Sequence, residues 1–324
     1  MIIEMAEEQA RAVLGAMREI ALAHGPEGVS DADERTIDAA ARIVLALAEG
    51  VPADLAPCTP QALASAMAGD RADAAQAVRM LAVMSLVDGS VDEQKTALVQ
   101  AYASAVDVDE AYLHVLAEAA ADEVAAAAAC MIRKNAESFP KLDLHGLDSD
   151  PVAPFLPYRN GNGDAALVAR YEALGELAPD TFGRAFFEHF NRNGFAFPGD
   201  EHGLAEGFTT PHDSSHVLSG YSTSPQGELC VSTFIGAMHP DHPMAAEVLP
   251  VLFSWHLGIA LNEIAGSTTG SFEPRKFWTA WQRGAATTVD VLDSEWDFWA
   301  ATGQPLEELR RAHGVPPADA DLLA

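Results

Sequence analysis

Alanine is spread unevenly along this chain, and that unevenness limits the fold more than any other feature. Of 61 alanines, 38 fall in residues 1–150. Alanine is the strongest helix former and loses no side-chain freedom on folding. Long stretches of this segment also lack glycine and proline. Such a sequence predicts a bundle of closely packed helices. Its aromatic side chains are only Tyr102, Tyr112 and Phe139. The remainder has the opposite make-up, with all five tryptophans, 13 of the 14 phenylalanines and eight of the 11 histidines. Between the two, residues 138–162 gather prolines and glycine, which interrupt helices. The expected fold is all-α, two helical domains joined by a Pro/Gly-containing linker. A helical bundle covers residues 1–137, the linker 138–162, and a second all-helical domain 163–324.

The length of 324 residues agrees with two domains at roughly 100–200 residues each. No apolar run reaches the ~18 residues that span a bilayer, and the acidic start Met1-Ile-Ile-Glu-Met-Ala-Glu-Glu is unlike a targeting segment. Cys58, Cys130 and Cys230 are too few and too scattered for a disulfide framework or a thiolate metal site, which fits a reducing cytoplasm. The net charge is −29, from 48 acids against 19 bases. Such a surface opposes nucleic-acid binding, which needs phosphate neutralisation, and repels anionic lipid headgroups. The expectation is a soluble cytoplasmic protein without nucleic acid, with at most peripheral contact with the inner face of a membrane, and compatible with an oligomer. The alanine- and acid-rich composition points to a bacterium.

Within the first half, Ile37, Ala40, Ala41, Val44, Leu45 and Leu47 trace one apolar helical face, and Val78, Leu81, Ala82, Met84 and Leu86 a second. Acidic helix starts recur at Ser30-Asp-Ala-Asp-Glu, Val91-Asp-Glu-Gln and Asp107-Val-Asp-Glu. The run Ala119 to Cys130, almost all alanine, reads as a packed or a connecting helix. The stretch 80–110, an apolar helix, Asp88-Gly-Ser and a second acidic start, resembles the tellurite-resistance TerB-like helical module, with a degenerate first copy from His24 to Ile37. That resemblance, weaker outside 80–110 but extending over about residues 10–135, implies acids that sometimes bind a cation; here these are Asp88, Asp92 and Glu93. Capping and solvation account for them more simply.

The chemistry lies in the second half. Residues 209–228 read as helix, turn, helix, with Pro211 at a helix start, Gly220 at a helix end and a new helix from about Pro225 to Met238. His212 and His216 are four apart and share a helix face. Asp213 lies about 100° round the same helix. Glu228 returns to the histidines if the two helices pack antiparallel. Two imidazoles and two carboxylates without thiolate suit zinc, with iron or manganese as alternatives.

His212-Asp-Ser-Ser-His216, eleven residues and Glu228 resemble the HDxxH-x11-E signature of the coenzyme Q biosynthesis family Coq-four. Leu177 to Gly194, His216 to Glu228, Trp278 to Gly284 and Pro305 to Val315 resemble further family segments, so the likeness covers about residues 163–316. It implies an all-helical fold and a zinc ion held by His212, Asp213, His216 and Glu228, with Asp213 as a candidate catalytic base. It also implies binding of a prenylated ring lipid or quinone precursor, removal of the ring carboxyl with hydroxylation, or presentation of the substrate to other biosynthetic enzymes. The chain departs from the family where a Tyr-Arg pair usually precedes the motif; here the segment is Gly207-Phe-Thr-Thr-Pro. The amino-terminal helical half is also foreign to it.

Tyr221, Ser214 and Ser215 are candidates to orient the imidazoles. His239 and His242 read as polar turn residues, and His256 as a core histidine. The apolar stretches 182–197 and 248–261 offer material for a lipid groove. A phosphohydrolase of the HD type would recruit His202 and Asp241 but fits His216 and Glu228 poorly. A helical metalloprotease would have Glu in place of Asp213. A non-catalytic scaffold with structural zinc is the third alternative.

Overall fold

Side-chain caps define where the helices of the first half begin. Ser30 accepts from the Asp33 amide, and the Asp33 carboxylate accepts in return from the Ser30 amide at 2.9 Å, a reciprocal capping box. Thr59, Asp70 and Asp92 cap three further helices by accepting from backbone amides of the first turn. The computed structural model describes residues 5–23, 28–262 and 264–323; the start of the chain (1–4), residues 24–27 of the stretch read as a degenerate first copy, and Glu263 and Ala324 lie outside them. Among the described residues the protein is all-α, with no strand and two isolated bridges, Thr181–Pro305 and Leu257–Thr269.

In the first half the helices are α1 (Glu7–Leu22), α2 (Asp31–Ala39), α3 (Pro60–Ala66), α4 (Arg71–Met84), α5 (Glu93–Ala105), α6 (Ala111–Ala120) and α7 (Val124–Glu137). The second half has α8 (Ala165–Glu172), α9 (Phe182–Asn193), α10 (Glu206–Ser219), α11 (Pro225–Met238), α12 (Leu249–Trp255), α13 (Pro274–Ala286), α14 (Phe298–Ala301), α15 (Leu306–Ala312) and α16 (Ala320–Leu323). A helix apolar on all sides belongs in the middle of a domain. α4 is that helix: its last seven residues, Val78 and Met80 to Met84 among them, are buried except Arg79. After α2 the apolar face continues through a π-helical turn, Ala40–Val44.

The alanine run 119–130 is not one helix. Asp122 adopts a left-handed backbone (φ 62°) between α6 and α7, which fold back on each other. Asp tolerates this conformation far better than alanine does. The acidic start before α6 also differs from its counterparts. Glu110 makes no cap bond and instead pairs with Arg79 at 2.9 Å.

Asp88 and Asp92 act as structural acids. Asp92 accepts from the Lys95 amide, and Asp88 from Ser90 and from Lys95 Nζ at 2.8 Å. Lys95 is fully buried and also lies 3.9 Å from Asp33. The start of α2 and the turn before α5 thus meet at one ammonium group, which, against the opposing effect of burial, holds the Asp88 carboxyl below its usual range.

Two hydrophobic cores divide the molecule, and neither coincides with a half of the sequence. The first contains α1 to α7 side chains together with Met244, Val248, Leu252, Phe253, Phe277, Trp278 and Trp281. α13 packs on α11 by one side and on α2 and its π-turn by the other. Gly284 permits the first contact, since a Cβ there would lie 2.1 Å from the Phe234 carbonyl. His256 joins the halves again, its Nε2 lying 3.2 Å from the Val87 carbonyl, as expected of a core histidine. The second core holds the phenylalanine stripe of α9, Phe182, Phe186 and Phe190. Residues 138–162 lack α-helix but are packed: Phe139, Leu142, Leu147 and Phe155 are buried in that core.

Candidate metal centre

α10 begins five residues before Pro211, where the sequence had suggested its start. Pro211 thus stands inside the helix, where it cannot make the bond to the Gly207 carbonyl and its ring faces that carbonyl. The earlier start puts Phe208, His212 and His216 on one stripe at intervals of four. The Phe208 ring stacks on His212 (centroids 5.3 Å apart, 14° between planes), and the two imidazoles meet edge to face at 5.1 Å.

The carboxyl end of α10 is held from far along the chain. Gly220 closes it in the left-handed conformation (φ 84°). Arg310 donates to the Val217 and Leu218 carbonyls at 2.7 and 2.9 Å, and Arg283 to that of Ser219 at 2.8 Å. These arginines saturate acceptors that a helix end leaves open.

α11 then returns along α10. Ser224 caps it, Pro225 takes its first position, and Gly227 lies so close to the turn that a Cβ would sit 1.9 Å from the Ser222 carbonyl. Glu228, the next residue, faces the histidines: Oε1 is 3.4 Å from His216 Nε2 and Oε2 is 3.7 Å from His212 Nε2. All three donor groups lie within 4.8 Å of one another, the one such cluster among the described residues. Two bonds of about 2.1 Å at a tetrahedral angle set their donors about 3.4 Å apart. The donor set suits a zinc-sized cation in chemistry, and the two histidine–glutamate distances lie near that spacing.

His216 is 2 % exposed, and its Nδ1 donates to the Tyr221 carbonyl at 3.0 Å. That bond orients the ring and aims Nε2 at Glu228. Tyr221 thus fills its expected orienting role, through its backbone. Ser215 does not, because its hydroxyl donates to the Pro211 carbonyl, and Ser214 Oγ has no hydrogen-bond partner among the described residues.

Charge is strongly organised here. Burial draws the His212 imidazole down, yet Glu228, aided by Asp213 and Glu247, prevails and holds it at about 9. Burial acts on Glu228 in the opposite sense to the two imidazoles, which win and keep its carboxyl well below the usual range.

Asp213 does not join the three. Its Oδ1 lies 2.8 Å from His189 Nε2 on α9, and the His189 ring stacks against His216 at 5.2 Å. His189 was not apparent as a site residue, although a histidine beside the stripe Phe186–Phe190 is a detectable signal. Glu247 is the second such residue. It is buried in the π-helical turn Pro243–Val248, where burial pushes its carboxyl up to about 7 against the pull of His212 and His239. A single acid within an otherwise apolar run marks it.

Both acids Asp213 and Glu247, with His212, His216 and Glu228, line one cavity of about 540 Å³. Its other walls are largely apolar, including Phe190, Phe195, Leu204, Val251, Trp255 and Ile264. The two apolar stretches expected to offer a groove both contribute. α7, from the first half, adds Met131, Ile132 and Asn135.

The residues of the HD-type alternative stay apart from the cluster. His202 is on the cavity wall but pairs with Glu201, and Asp241 is exposed, 3.9 Å from His239. His239 is more than a turn residue: it is buried and its Nδ1 lies 2.6 Å from Asp290, which raises its pKa although burial opposes this. His242 is an exposed turn residue with left-handed backbone. Among the described residues no helix is long and apolar enough to cross a membrane.

No protein-family model and no curated protein matches the chain. Among solved structures, it is similar to a crystal structure of a Nostoc punctiforme protein named for ubiquinone biosynthesis. Identity is 18 %, the TM-score is 0.33, and the match covers 64 % of this chain and 96 % of that one.

Proposed function

We propose that this protein acts in quinone metabolism of the ubiquinone type, on a prenylated ring lipid, a quinone precursor or a related amphiphile. The observation that carries this reading is the cavity itself. One polar patch, two imidazole nitrogens and a carboxylate at ligand spacing, opens into about 540 Å³ of mostly apolar wall. Pockets of this kind orient a ligand by a few polar groups and bind the rest by burial. The resemblance of His212 to Glu228 to the Coq-four signature supports the same class of ligand.

In this reading His212, His216 and Glu228 hold a divalent cation, with zinc preferred for its N/O donor set. Three protein ligands are the usual complement of a catalytic zinc, and a bound ion of that kind polarises a ring oxygen or carboxylate. Asp213 enters as the partner of His189. The pair can hold or move a proton beside the cation, which retains Asp213 as the candidate base. Whether the ring carboxyl is removed here or the substrate is presented to a partner enzyme is a choice that turnover with purified protein decides.

The experiment is metal analysis of untagged protein, wild type beside His216→Ala and Glu228→Gln. Near-stoichiometric zinc in the wild type, lost in both variants, is the expected result. Stoichiometric zinc retained in both would place the ion elsewhere and end this reading. An organic extract of the purified protein should in addition contain a prenyl lipid.

A further inference from the structure

Glu247 differs from the other acids of the cavity. It is 2 % exposed and has no ion-pair partner among the described residues. Burying a carboxyl group is costly unless hydrogen bonds replace its water. One of its oxygens, Oε1, is engaged by α7 and its cap: Asn135 Nδ2 donates to it at 3.3 Å, and Ser138 Oγ lies 3.1 Å away. Asn135 is itself anchored, donating to the Ala246 carbonyl at 2.9 Å.

Ser138 has a single proton and two acceptors within reach. The shorter contact, 2.8 Å, is with the Asn135 carbonyl. The same hydroxyl also reaches Oε1, so Ser138 and Asn135 both donate to that one oxygen. The other oxygen, Oε2, has no hydrogen-bond partner among the described residues, on a side chain that lines the cavity. As a carboxylate the group presents Oε2 as an acceptor.

We propose that Glu247 is a ligand-contacting residue whose Oε2 accepts a hydrogen bond from a hydroxyl on the head of the bound molecule, with Asn135 and Ser138 as positioning residues. The assignment rests on the amphiphile reading above and narrows it. A phenolic head fits this position, whereas a methyl ether or a quinone carbonyl brings a second acceptor against Oε2. Glu247 would thereby distinguish a hydroxylated ring from its methylated product or precursor. It also gives the first half of the chain a part in recognition, since α7 fixes the carboxyl.

The test compares two probes of equal tail length, para-dodecylphenol and para-dodecylanisole, by quenching of tryptophan fluorescence; Trp255 lines the cavity. Wild-type protein as purified should prefer the phenol on the order of tenfold, the usual effect of one buried hydrogen bond lost. Glu247→Gln places an amide donor where the acceptor was, and should bring the two affinities to within about twofold. Glu247→Asp withdraws the carboxyl by one methylene and should lose the preference in the same way, which covers the case of a glutamine variant that does not fold. A preference that persists in a folded variant, or that the wild type lacks, overturns the role of Glu247 alone. Failure of both probes to bind the wild type overturns the amphiphile reading and this assignment together.

Discussion

Metal and proton compete for one lone pair on His212, and the competition has a calculable size. Glu228 holds that imidazole at about 9, so near neutral pH the ring is protonated in the metal-free protein. A cation must displace the proton. At about pH 7 the gap of about two units costs about 2.7 kcal/mol, or a hundredfold in apparent affinity. The sign follows from the raised pKa: protonation is complete below it, so affinity falls about tenfold for each pH unit below about 9 and levels off above. Calorimetric titration of zinc into metal-stripped protein checks this directly. In buffers of different ionisation enthalpy near neutral pH, about one proton should be released from His212 for each zinc bound. Zinc affinity that does not change between about pH 6 and 8 would refute the ion pair as the state of the empty site.

Three further outcomes separate the site from its supports. Gly227→Ala drives a Cβ into the Ser222 carbonyl and should cost about 1–3 kcal/mol in urea unfolding, together with zinc, because Glu228 is the next residue. Lys95→Met strands Asp33 and Asp88 in the first core. It should cost about 3–5 kcal/mol while the zinc content per folded molecule stays at the wild-type level. His212→Ala should weaken zinc binding by about a hundredfold or more, measured by competition with a chromophoric chelator.

The helical class and most helix starts were legible, because they depend on neighbours in sequence. Ser30 with Asp33, Asp70 and Asp92 cap within three residues of themselves. The spacing of His212 and His216 is likewise a property of one helix, and the turn at Gly220 sufficed to bring Glu228 back to them. Pro211 misled about the start of α10 because proline favours the first residue of a helix, whereas here it stands inside one at the loss of a backbone bond. The alanine run 119–130 misled because composition reports helix propensity and says nothing of where one residue leaves the helical basin.

Sequence alone, then, determined the elements and the three groups that meet across a single turn, since bonds and faces within a few residues follow from local geometry. Tertiary structure decided the rest. Asp213 is turned to His189, although adjacency to His212 suggested a shared ligand set, because an open helix face is claimed by whatever packs against it. Glu247 is held by Asn135 and Ser138, more than a hundred residues earlier in the chain. α13 joins the first core to α11, so residues that composition assigns to different halves are buried together. Burial, and with it the charge state of a carboxyl or an imidazole, is set by which surfaces exclude water from each other, and that is a property of the assembled fold.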